Sequence, residues 1–136
     1  MQTTNDVFIV GIGQTEVGEL WDVSLRSLAA CAFKAARADA GGLQPRAIFV
    51  GNMLAANASR QANLGALIAE FAGLAGKVEG FTAEAAEASG GAALYLAYNS
   101  IRSGTVGAMG MVGSGMGDYA LAIGMDTAPG LSLLHL

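Results

Sequence analysis

Charge is scarce in this 136-residue chain, at 13% Asp, Glu, Lys and Arg against about 25% in an ordinary soluble domain. A domain of this size keeps much of its surface in water. The shortage therefore implies that other protein covers part of that surface, and an obligate interface is expected. The seven basic residues are scattered among eleven acidic ones, for a net charge of −4. No patch exists to neutralise phosphates, which argues against nucleic acid as a partner. A single cysteine forms no internal disulfide and fits a reducing compartment. With one histidine as well, no metal site is expected. No run of about 18 apolar residues is present to span a bilayer. Met1 to Asp6 lacks the basic and apolar stretches of a signal peptide. The expectation is a cytoplasmic protein with no membrane partner. Two prolines are too few for the glycine spacing of three near Gly104–Gly113 to mean collagen. Disorder is excluded by a hydrophobic content of 53%.

The hydrophobic pattern alternates between strands and helices. Val7–Val10, closed by Gly11, and Ala47–Gly51 read as short buried strands. Ser24 is the expected N-cap of a first helix running to about Ala40, with Leu25, Leu28, Ala29, Ala32, Phe33 and Ala36 at helical spacing. Gly41-Gly42 stops it. A second helix is expected from Gln61 to about Ala75, a third strand over Phe81–Ala85 and a third helix from Ala88 to about Ser103. Val106–Val112 reads as a fourth strand weakened by glycine. The fold class is α/β, a mostly parallel sheet with helices on both faces. The third helix is apolar on all sides, so it is expected to be buried on all sides, at an interface. Residues 1–112 form one unit, and 113–136 read as a Gly/Met-rich loop and an apolar tail.

Glu84-Ala85-Ala86-Glu87-Ala88-Ser89-Gly90-Gly91-Ala92-Ala93-Leu94 resembles the active-site segment of thiolases, Glu-Ala-Ala-Cys-Ala-Ser-Gly-Gly-Ala-Ala. The opening Val10–Thr15, Phe49–Met53, Arg60–Asn63 and Ala97–Gly104 fall in the family's order. The flavour is that of sterol-carrier-protein-like and archaeal acetoacetyl-CoA thiolases, over about residues 7–112. The resemblance implies an acyl-CoA C-acyltransferase ancestry, with CoA or acyl-CoA as substrate and no bound cofactor. It implies two similar half-folds packed about a pseudo-twofold, of which this chain matches the first. A second copy, a higher oligomer, a separate C-terminal half or a partner subunit is expected to cover the third helix. The family's catalytic histidine and second cysteine, from its second half, have no counterpart before Leu136.

The family's nucleophilic cysteine falls on Glu87. A helix N-terminus at that point favours a thiolate and an oxyanion. A carboxylate is a poor substitute, because attack on an acyl-CoA gives a mixed anhydride, so ordinary turnover is expected to be blocked. Glu87 is open to three readings. It is a general base for carbon–carbon chemistry without an acyl-enzyme, the mark of a non-catalytic, self-associating subunit, or an acidic residue complementing the helix dipole.

Ser89, Gly90, Gly91 and Met116 are the candidate substrate contacts, although small residues in an apolar helix also serve close helix–helix approach. Asn52, Met53, Asn57 and Arg60, after the second strand, are interface candidates, since in thiolases this region reaches toward the neighbouring active site. Ala92 and Tyr95 join them from the third helix. Met109, Met111 and Met125 suit core packing or an acyl pocket. Cys31, with no basic neighbour, reads as a small buried apolar residue rather than a nucleophile. Trp21 is expected to cover the start of the first helix, and His135 belongs to the tail. Gly11-Ile12-Gly13 lacks the third glycine of a dinucleotide loop, since Glu16 stands there.

Overall fold

The computed structural model describes residues 7–18, 20–103, 108–113 and 121–126. Strands β1 (Phe8–Gln14), β2 (Ala47–Gly51), β3 (Glu79–Ala83), β4 (Ala108–Gly113) and β5 (Leu121–Asp126) form one sheet in the order β1-β5-β4-β2-β3. The helices are α1 (Leu25–Asp39), α2 (Ala55–Ala58), α3 (Leu64–Phe71) and α4 (Ser89–Arg102). β2 pairs in parallel with both β3 and β4. β5 runs antiparallel to its two neighbours, β4 and β1. Four strands thus share one direction and β5 opposes them. The expected parallel core is there, but the sheet is mixed. Part of the segment read as loop and tail supplies the antiparallel strand that joins β1 to the rest. β1 runs past Gly11 to Gln14 because β5 gives it a partner through Leu121. Its register shifts between Ile9 and Ile12, and there the Ile12 N–H donates to the Asp39 carboxylate at 2.8 Å.

Side-chain alternation along β2 builds two cores. Ile48 and Val50 pack with Ala29, Ala32, Phe33 and Ala36 of α1 and with Leu64, Ile68 and Ala69 of α3. Ala47 and Phe49 point the other way, against Ala93, Ala97 and Ile101 of α4. All five residues of β2 are buried, as a central strand requires. At its edge, Phe81 of β3 stacks on Phe49 with ring centroids 4.8 Å apart.

Local signals set the bounds of α1. The Ser24 Oγ accepts the Ser27 N–H at 3.2 Å, the expected N-cap. Gly41 and Gly42, at φ +64° and +85°, carry the chain out of the helix. The expected Gln61–Ala75 helix is shorter. Asn63 is left-handed at φ +55°, so α3 starts at Leu64, where the Gly65 N–H finds the Thr82 Oγ1 at 3.0 Å. Gly73, at φ +74°, turns the chain after Phe71.

Two burial expectations are corrected. Cys31 is exposed, because it lies on the outward side of α1 between the buried Ala30 and Ala32. Trp21 is 81% exposed and covers little. Within this single chain α4 buries one face: Ala93, Ala97 and Ile101 are fully enclosed, while Tyr95, on the side expected to meet other protein, is 67% exposed. A single layer beneath α4 covers one side of it. No helix among the described residues is long and apolar enough to cross a membrane.

Candidate functional site

The turn that joins β3 to α4 carries Glu87. β3 ends at Ala83, and the chain reverses through Glu84 to Ala88 before α4 begins at Ser89. Two backbone bonds close the turn: the Ala88 N–H to the Ala85 carbonyl at 2.9 Å, and the Ser89 N–H to the Ala86 carbonyl at 3.1 Å. Ala86 is left-handed at φ +46°, a conformation that side chains with a Cβ disfavour. The Ser89 hydroxyl lies beneath, accepting the Ala85 N–H at 2.9 Å and donating to the Ala86 carbonyl at 2.6 Å. Glu87 stands exposed on the outside of this turn. It sits one residue before the N-cap, Ala88, which makes no side-chain cap bond. Four turns of aligned peptides behind it place partial positive charge near its side chain.

Gly51 lets this turn sit so close to the sheet. A Cβ there would overlap the Ser89 carbonyl and lie 2.8 Å from the Gly90 nitrogen. β2 and the start of α4 therefore meet backbone to backbone.

Beside the turn, at the carboxyl ends of β2 and β3, lies a cleft of about 280 Å³. Crevices at that end of parallel strands are where α/β sheets hold ligands. Asn52, Met53, Gln61, Asn63, Thr82 and Glu84 contribute to its walls. The Asn52 Oδ1 accepts the Leu54 and Ala55 N–H groups at 3.0 and 2.6 Å and so starts α2. The Asn52 N–H donates to the Ala83 carbonyl at 3.2 Å, tying the cleft to the root of the turn.

The residues singled out from sequence therefore fall in separate places. Glu87, Ser89, Gly90 and Gly91 share the turn and the first turn of α4, with Ser89 buried and Gly91 exposed. Asn52 and Met53 line the cleft, whereas Asn57 and Arg60 are exposed and do not line it. Ala92 is half-buried against the α4 core, and Tyr95 faces outward. Met116 and His135 lie outside the described residues. Glu84, Thr82, Gln61 and Asn63 were not singled out as site residues. Glu84 stands in the motif itself, but only strand pairing brings it beside Asn52.

The Thiolase, N-terminal domain family matches residues 7–127. The chain belongs to the thiolase family. It is 41% identical over 123 residues to an acetyl-CoA acetyltransferase of Methanothermobacter thermautotrophicus, covering 89% of this chain and 29% of that protein. It is 43% identical over 102 residues to the acetyl-CoA acetyltransferase of Methanocaldococcus jannaschii, covering 73% and 26%. The thiolase-family chain thus spans less than a third of these relatives. The solved acetyl-CoA acetyltransferase of Syntrophomonas wolfei superposes with a TM-score of 0.71 over 80% of this chain and 28% of that one. At 24% identity that likeness speaks for the shared thiolase fold.

Proposed function

We propose that this chain is the N-terminal half of an acyl-CoA C-acyltransferase site in which position 87 carries a carboxylate instead of the acyl-accepting thiol. The parent reaction moves an acyl group between acetyl-CoA or a 3-ketoacyl-CoA and CoA. In that reaction a thiolate attacks the thioester carbonyl, the new carbon–sulfur bond forms, and CoA leaves as its thiolate. The observation that carries the reading is the exposed position 87 at the head of a 14-residue helix, in the segment Glu84–Leu94 that resembles the thiolase active-site motif. The chain's single cysteine cannot stand in. Cys31 is on α1, which packs on the opposite face of the sheet from α4.

Attack by the Glu87 carboxylate would form a carbon–oxygen bond and release the CoA thiolate. The product, a mixed anhydride, is a stronger acyl donor than the thioester it came from, so the equilibrium lies against it. Thiolase turnover is therefore blocked at this residue. Mixed with acetyl-CoA and analysed by peptide mass spectrometry, the chain is expected to carry no acetyl group on Glu87. The E87C variant is expected to acquire one that hydroxylamine removes. A stable acetyl group on Glu87 would overturn the reading.

A second reading, a self-associating module without catalysis, is favoured by the outer face of α4. From Ser89 to Ile101 the helix carries no charge, yet Tyr95, Leu96 and Tyr98 are 67, 42 and 41% exposed. A contiguous apolar face of this kind suits a protein interface, filled by a second copy or a separate C-terminal half. Sedimentation equilibrium at micromolar concentration is expected to show a dimer or larger closed assembly. A monodisperse monomer would remove the second-copy version.

A further inference from the structure

Ser89 is the one buried polar side chain among the described residues, 2% exposed. Its bonds run backward, to the Ala85 N–H and the Ala86 carbonyl. A capping serine does the reverse, accepting from N–H groups two or three residues ahead. Ser89 is also past the cap, which is Ala88. Burying a hydroxyl is unfavourable unless both its proton and its lone pairs are used, and here the turn uses both. The residue bracketed by the two bonds, Ala86, is left-handed at φ +46° and immediately precedes Glu87.

We infer that Ser89 is the positioning residue of this turn: its hydroxyl holds Ala86 left-handed and thereby fixes where the side chain at position 87 is presented. The consequence for chemistry rests on the reading of position 87 as the acyl-accepting position; the effect on the turn does not.

The test uses the full chain carrying E87C, with Cys31 as the internal reference thiol. Both are exposed positions, but only position 87 faces a helix N-terminus. Iodoacetamide at neutral pH is expected to label position 87 about fivefold faster than Cys31, because the helix field raises its thiolate fraction. Adding S89A is expected to bring the two rates to within about twofold while the Cys31 rate holds. Adding A86G to that double variant is expected to restore most of the difference, since glycine adopts the left-handed conformation without the hydroxyl's help. A merely structural serine would not be rescued at its neighbour in this way.

If E87C is fast and S89A leaves it fast, the positioning role is overturned and the reading of position 87 stands. If the thiol at position 87 is no faster than Cys31, the reading of position 87 falls. The positioning role is then decided in the unsubstituted chain by amide exchange. The Ala85 N–H is expected to exchange as slowly as those of Ala93 and Ala97. Exchange at the rate of an exposed loop would overturn the role, whatever the variants do.

Discussion

Gly51→Ala is expected to destabilise the chain by about 3 kcal/mol, at the upper end for overpacking. The added methyl meets backbone, the Ser89 carbonyl and the Gly90 nitrogen, and not the yielding end of a long side chain. Either β2 or the start of α4 must move. β2 is held on both sides, by β3 and β4, so α4 is the element that gives. Against a total stability of about 5–15 kcal/mol for a domain, this is a large loss. Urea unfolding followed by circular dichroism is expected to show the midpoint falling with little change in slope. The damage also has an address. Exchange at the Ala85 amide, whose acceptor is the Ser89 hydroxyl, is expected to accelerate more than that of the α1 amides. A midpoint within experimental error of the parent would mean that the strand and helix do not meet as described.

Ile48→Ala is expected to cost a comparable amount, about 2–5 kcal/mol, by the opposite mechanism. Ile48 is the fully buried second residue of β2, where α1 and α3 both lean on the sheet. Removing its outer carbons leaves a hole that three rigid elements cannot close. Its site lies across the sheet from α4, whose apolar contacts with β2 are made by Ala47 and Phe49, with Gly51 against its first residues. Hydrogen exchange is therefore expected to rise in α1 and α3 while the Ala85 amide keeps its protection relative to the global rate. The two substitutions together separate the layers: Gly51 reports on the turn before α4, Ile48 on the scaffold behind it. Loss of Ala85 protection in Ile48→Ala beyond the global change would contradict that separation.

Elements bounded by local chemistry were legible in the sequence. β2 was read at its observed limits because a five-residue apolar run ending in glycine matches a central strand. Ser24 and Gly41-Gly42 marked both ends of α1, since a hydroxyl cap and left-handed glycines act within a few residues. The start of α3 is not legible, because Asn63 takes a left-handed conformation with no glycine to announce it. β5 is not marked locally: Leu121–Asp126 follows a glycine-rich stretch, and it is a strand because it pairs on both sides, with β4 just before it and with β1 more than a hundred residues earlier. For Cys31 residue type points to burial, while the helix phase, set by Ala30 and Ala32 packing inward, turns it out.

The site divides along the same line. The motif around Glu87 was visible because it is contiguous, and it carried the family and the expected helix start with it. Nothing contiguous reveals that Ser89 turns its hydroxyl under Ala86, or that Glu84 shares a cleft with Asn52 and Asn63. By itself the sequence determined the alternation of strands and helices and the family, because each is written in neighbouring residues. Tertiary structure alone decided the direction of β5, the exposed face of α4 and the left-handed turn that presents position 87. Those depend on which distant backbones and side chains meet, and a linear pattern does not contain that information.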